Sequence, residues 1–429
     1  MGIKWDWQMV DEDGPWMEQS SPVAGPPRRR VPRRLIIALA LIPVLAIAAF
    51  VAYYVWTYHA QLNDAVGPVQ QVARAELQSV AINDKTSFMA LQDASDPAWL
   101  ASQDRNFGRL ERAGLPELGW RATGAAPQLG RVSLEPGGAL VQMTYQFTVA
   151  QPLPGAPVSV TVQVPEFYKP TPSGWVHASP AADFWGPERT QNGKHIIVLY
   201  YQRDADLVEP LIPRMDDLVA QLCNSLNCPS QQMSVLFENS LSSTRQGFFF
   251  RDQSFTLRFS SPSLLALPTD ANSRNELYRA LEIRLAQAVV YQAFGRGLYM
   301  NRLASQAVVQ WELARMGLAG PFISEATRQT LMTELEAGAT QPLATMSLRS
   351  SSFRVDSSDA AMMSLAFEFL DQAQGADVVE RLIPAMRNSA TLGDAIRTAL
   401  DVDPATLESA WQSYLLNVVE HQDQPRRGT

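Results

Sequence analysis

The feature that most constrains this chain is an apolar run of 22 residues, positions 35–56 (LIIALALIPVLAIAAFVAYYVW), without a single charge. A helix rising ~1.5 Å per residue makes that run ~33 Å long, enough to cross a hydrocarbon core ~30 Å thick. Pro43 lies inside it, and membrane helices tolerate proline where neighbouring groups re-satisfy the freed carbonyl. Tyr53, Tyr54, Trp56 and Tyr58 gather at the far end, as an interfacial aromatic belt does. Arg28, Arg29, Arg30, Arg33 and Arg34 precede the run, and no Lys or Arg follows until Arg74. The positive-inside rule therefore predicts a cytoplasmic tail over 1–34, a single transmembrane helix in the cell membrane, and an extracytoplasmic remainder. A cleaved signal peptide is the competing reading, but its apolar region spans only ~7–15 residues.

The tail combines Trp5, Trp7 and Trp16 with acidic residues and a Pro- and Arg-rich stretch, a composition that predicts disorder close to anionic headgroups. A docking motif for a cytoplasmic partner is the alternative use of those tryptophans. A second disordered tail is expected over 419–429. Beyond the span the chain has 29 basic and 38 acidic residues, a net of −9, which disfavours nucleic acid or anionic surfaces as partners. The lipid bilayer is the one partner the sequence itself names. Cys223 and Cys228 are the only cysteines; in an oxidising compartment they can close a short disulfide, and no nearby His or Cys completes a tetrahedral metal set.

Residues 62–113 show helical periodicity, with Asp96-Pro97 as a start signal. From Trp120 the period becomes two: Val141, Met143, Tyr145 and Phe147 alternate, as do Val158, Val160, Val162 and Val164. Helices followed by a curved antiparallel sheet predict an α+β domain over 62–190. That element order resembles the cone-shaped nuclear-transport-factor-like fold, which hosts many functions and implies none. His177 falls between Trp175 and Phe184 in this part. Sequence places no acid–base partner beside it, so it reads as a hydrogen-bonded packing residue.

Residues 194–418 predict a small α/β lobe followed by a helical lobe. HIIVLYY, MSVLFEN and SFTLRFS read as strands, VEPLIPRMDDLVAQLCNSL as a helix, and nearly everything after Asn275 as helix. The stretches IRLAQAVV, LASQAVVQWE, SLAFEFL and LESAWQSYL, in that order, resemble the peptidase MA-like (gluzincin) domains. In that family a HELAH helix supplies two zinc ligands and a general base, and a following WLSEGLAQYE-type helix supplies the third ligand. The resemblance places Ile283 and Gln287 at the histidine positions, Arg284 at the general base and Gln306 at the third ligand, with 18 residues between Gln287 and Gln306.

Those replacements are chemically decisive. Zinc takes imidazole, thiolate or carboxylate; Ile offers nothing and neutral Gln is a poor substitute. Arg cannot accept a proton from water near neutrality and repels a dication. The chain has four His, namely His59, His177, His195 and His421, and no pair with ligand spacing. There is no G-x-S-x-G elbow, P-loop or G-x-G-x-x-G. Carboxylate pairs such as Glu334 with Glu336, or Asp216 with Asp217, read as solvated helix faces. The resemblance thus implies a membrane-tethered pseudoprotease of the bacterial envelope, with no cofactor. It would serve as a binding module for a peptide or protein, or as a scaffold. The rivals are a hydrolase with an unrecognised site and a sensor signalling through the membrane helix. Metal analysis of the purified protein is expected to find no stoichiometric zinc; one tightly held zinc per chain refutes the reading.

Overall fold

A computed structural model describes residues 33–135, 137–149, 159–226, 228, 232–239, 249–251, 254–295, 301–319, 325–349, 357–375 and 377–421. The tail residues 1–32 and 422–429, and Val158, lie outside them. The chain divides into two compact units, Met1–Gln61 and Leu62–Thr429.

Helix α1 (Arg33–Ala81) begins in the first unit and continues into the second. Its apolar part is bare: Ile42, Phe50 and Trp56 are 64%, 69% and 69% exposed, a surface that water does not tolerate over such a length. Among the described residues this is the one helix long and apolar enough to cross a membrane. Beyond Gln61 the pattern changes. Ala65, Val69, Ala73, Glu76 and Val80 are buried at steps of three and four residues, the stripe of a core-facing helix.

Three short helices follow: α2 (Lys85–Ala90), α3 (Pro97–Asn106) and α4 (Arg109–Arg112). The Asp96-Pro97 start signal is real, since Asp96 Oδ1 accepts from the N–H groups of Ala98 and Trp99, both at 3.0 Å. A 3₁₀ turn, Pro116–Leu118, leads into the first sheet. Its strands are β1 (Trp120–Ala122), β2 (Gln128–Glu135), β3 (Gly138–Val149), β4 (Ser159–Thr171) and β5 (Gly174–Ala178). All pair antiparallel. The period-two residues meet across β3 and β4, where Phe147 faces Val160, Tyr145 faces Val162 and Met143 faces Val164. A register shift between Leu129 and Val132 bends β2, and the sheet curls.

The second sheet runs β6 (Glu188–Asn192), β7 (Ile196–Tyr201), β8 (Met233–Glu238), β10 (Ser254–Ser260) and β9 (Phe249–Arg251), in that spatial order. Strands β7, β8 and β10 are parallel, so the link from β7 to β8 must cross over a face of the sheet. Strand β9 lies between β8 and β10 in sequence and pairs antiparallel with β10 at the sheet edge. Helices α5 (Ala205–Val208) and α6 (Ile212–Leu226) make the first crossover. Cys223 and Cys228, at its end, are disulfide-linked with Cα atoms 4.7 Å apart. Asp216 on α6 is half-buried, not simply solvated: it accepts from the N–H groups of Lys194, His195 and Ile196 at 3.1, 2.7 and 3.1 Å.

After α7 (Pro262–Leu265) a two-residue strand, β11 (Leu267–Pro268), returns to pair with β4 of the first sheet. The helical part then runs α8 (Ala271–Phe294), α9 (Arg302–Arg315), α10 (Glu325–Glu336), α11 (Ser357–Gln374), α12 (Val378–Met386), α13 (Leu392–Leu400) and α14 (Pro404–His421). Helix α14 extends through His421, past the expected start of the C-terminal tail. Buried side chains from α1 to α14 form one continuous core.

Helix α8 is fastened near its start to the first sheet and at its middle to the 3₁₀ turn before that sheet. Ser273 Oγ accepts from the Thr161 N–H at 3.0 Å. Arg284 Nε and Nη2 donate to the carbonyls of Glu117 and Pro116 at 2.6 and 3.0 Å. A charged donor serving two carbonyls contributes about 1.5–3 kcal/mol, and its loss strands them. Urea unfolding of Arg284→Ala is therefore expected to show a stability loss of that size, with Arg284→Lys recovering only part because it lacks the planar fork.

Candidate functional site

The curled sheet and the helices α1, α3 and α4 enclose a cavity whose polar floor is built around Glu76. Glu76 is 4% exposed, and three side chains from elsewhere converge on it. Gln92 Nε2 donates to Oε1 at 2.5 Å, His177 Nδ1 meets the same oxygen at 2.8 Å, and the Tyr168 hydroxyl donates to Oε2 at 2.6 Å. Their placement follows from local structure. Tyr168 on β4 and His177 on β5 are register partners, stacked with ring centroids 5.1 Å apart. The loop after α2 joins the edge of β5, with Asp93 N–H donating to the His177 carbonyl at 2.7 Å and His177 N–H to Leu91 at 2.8 Å. Trp99 closes the other side of the imidazole edge-on, 5.0 Å away.

The Tyr168 hydroxyl also lies 2.9 Å from Glu166 Oε2. One phenolic proton faces two carboxylates, so the contact to Glu166 becomes a hydrogen bond when Glu166 carries a proton and donates it to Tyr168 Oη. The electrostatics point the same way. Burial pushes the Glu166 carboxyl up to about 7; the His177 charge opposes this, and Glu76 adds to it. Burial also raises Glu111, whose side chain meets the Tyr145 hydroxyl at 3.3 Å. For His177, burial alone pulls downward, but the Glu76 charge and hydrogen bond, with Glu166, carry it above the ordinary imidazole value.

The cavity above this floor holds about 120 Å³. An apolar cavity of ~150 Å³ admits benzene, so this one suits a small ring or chain. Its walls are mainly apolar, with Leu77, Phe88, Trp99, Leu110 and Val164 among them. Two polar groups in it are unspent. Gln103 lines the cavity at 8% exposure, and among the described residues its amide has no hydrogen-bond partner. His177 uses Nδ1 on Glu76, and Nε2 is likewise without a partner among the described residues.

The four residues at the gluzincin-like positions lie on α8 and α9, away from this cavity's lining. Ile283 packs against the core. Arg284 Nη1 donates to Gln287 Oε1 at 3.1 Å, and its other nitrogens are spent on backbone carbonyls. Gln306 is half-buried on α9, and no hydrogen bond ties it to the other three among the described residues. His177 is hydrogen-bonded and packed, as expected, and the partner that sequence could not place is Glu76, 101 residues earlier. The one local signal was a Glu on the apolar face of the VQQVARAELQSVAI helix, where a buried charge needs a partner. No protein-family model matches the chain, and no curated protein matches it significantly.

A buried carboxyl titrating near neutrality makes stability depend on pH. Folded Glu166 keeps its proton up to about pH 7, whereas an unfolded Glu loses it near 4.5. Between those values the folded state binds more protons, so stability falls as pH rises. Glu166→Gln is expected to melt like the parent at pH 5 and on the order of a few degrees higher at pH 8. Thermal melts at both pH values check this; a lower melting temperature at pH 8 contradicts the assignment.

Proposed function

We propose that this protein is a membrane-anchored, extracytoplasmic binding protein whose ligand site is the cavity beside the Glu76–His177 pair. The carrying observation is that this cavity, large enough for a small molecule, is lined by a nine-tenths-buried Gln103 with no hydrogen-bond partner among the described residues. Because that amide faces the cavity, its donors and acceptor remain available to a bound molecule. Five arginines before the span, and none soon after it, support the orientation.

In this reading the helical part is a non-catalytic scaffold. The resemblance to peptidase MA-like domains supplies the idea of a retired metal site, and the engagement of Arg284 with Pro116 and Glu117 favours a structural role for it over a peptide-gripping one. The α+β part with its curled sheet, compatible with a nuclear-transport-factor-like cone, carries the ligand.

The test is thermal stabilisation of the full chain in lipid nanodiscs by a panel of small aromatic amines, alcohols and acids. A compound present at 100 times its Kd stabilises by ~2.7 kcal/mol. At least one class is expected to raise the melting temperature, and the cavity-filling variants Leu110→Trp and Asn106→Trp to abolish the effect. Absence of any shift, or shifts that persist in both filled variants with native circular dichroism, overturns the proposal.

A further inference from the structure

Charge balance inside the cavity says which ligand it suits. Arg109 lines the cavity but its Nη2 is bound to Glu117 Oε2 at 2.6 Å. His177 is bound to Glu76 at 2.8 Å. Each cation is thus matched by one acid, and two lining carboxyls, Glu111 and Glu166, are left with only tyrosine hydroxyls from Tyr145 and Tyr168 as side-chain partners. A carboxylate has about four acceptor sites, so both retain capacity. Gln103, nine-tenths buried, adds an amide oxygen with no donor among the described residues, and this unpartnered side chain makes the cluster a site and not merely an acidic patch. The surrounding walls are apolar and aromatic, which suits the body of an organic molecule and favours a cationic head near the rings.

We propose that the cavity selects a small organic amine in its ammonium form, with Glu166 and Glu111 as counter-charges, the Gln103 carbonyl oxygen as a further acceptor and the apolar walls around the hydrocarbon body. The proposal rests on the cavity being a ligand site. An ammonium offers three N–H donors and a full charge, which matches three under-used acceptors. Arg112 and His177 act on Glu111 and Glu166 only through space. An anion would therefore face two acids without a direct ion-pair partner, and an alcohol would leave their charge unanswered.

Binding then releases a proton. Glu166, raised by burial to about 7, faces Tyr168 on its own strand, Glu76 on α1, His177 on β5, Glu111 on α4 and Tyr145 on β3. His177 opposes its protonation, and the two other acids favour it. An arriving ammonium stabilises the ionised form, so affinity rises as pH increases through 7 while the amine itself stays protonated.

The probes are 2-phenylethylammonium, 2-phenylethanol and phenylacetate, similar in size and differing in charge. They are titrated by calorimetry into the full chain in nanodiscs at pH 6 and 8, in two buffers of different ionisation heat. The amine is expected to bind at least tenfold tighter than the alcohol at pH 8, with proton release and a smaller margin at pH 6. In Glu166→Gln and Glu111→Gln, checked for native circular dichroism, the amine-to-alcohol affinity ratio is expected to fall toward one. If the alcohol or phenylacetate binds as tightly as the amine, or the ratio survives both substitutions, amine selection is wrong although the cavity still binds ligand. If none of the three binds, the ligand-site reading falls with it.

Discussion

Much of the architecture around the first sheet depends on one buried carboxylate. Removing Glu76 from water costs several kcal/mol unless its oxygens are satisfied, and donors from three separate elements satisfy them. Meeting that requirement fixes the rotation of α1, because the helix must turn Glu76 toward Tyr168 and His177. The same rotation points Val69 and Ala73 into the core. It also draws the loop after α2 onto the edge of β5, where Trp99 then covers the imidazole. The cavity follows from that arrangement, with the Glu76 network as its floor and Trp99 of α3 and Leu110 of α4 among its apolar walls.

The rest of the compact unit keeps this geometry rigid. Strand β11 returns from the second half of the chain to lengthen the first sheet. Ser273 and Arg284 then tie α8 to that sheet and to the turn before it. On α8, Arg284 spends its guanidinium on the backbone carbonyls of Pro116 and Glu117. Such carbonyls are a normal destination for a guanidinium, whose five donors are hard to leave unmade in a half-buried place. The helical part also holds buried charges, but pairs them: Glu276 with Arg279, Glu282 with Arg214 and Glu312 with Arg315.

Several features were legible in the sequence because they depend on neighbours along the chain. The span over 35–56 follows from composition alone, and the helix start at Asp96-Pro97 from local capping. The strands around Val141–Phe147 and Ile196–Tyr201, and the helices from α8 to α14, follow from periodicity, which reports the face a side chain must bury. Other features have no such signal. Strand β11 is two residues long and too short for any period, and Asp216 gives no sign in its own helix that three N–H groups from the preceding loop will reach it.

The cavity belongs to that second group. Glu76, Gln103, Glu111, Glu166 and His177 are ordinary residues at unrelated positions, and the sequence by itself determined only that a helix face would carry a charge and that a histidine would sit among aromatics. The tertiary structure alone decided that these are one site, because bringing α1 against β4 and β5 joins residues up to 101 positions apart. Hydrophobic periodicity specifies which faces are buried; which polar groups are then forced together inside is set by sheet register and helix rotation, and those are properties of the packed chain.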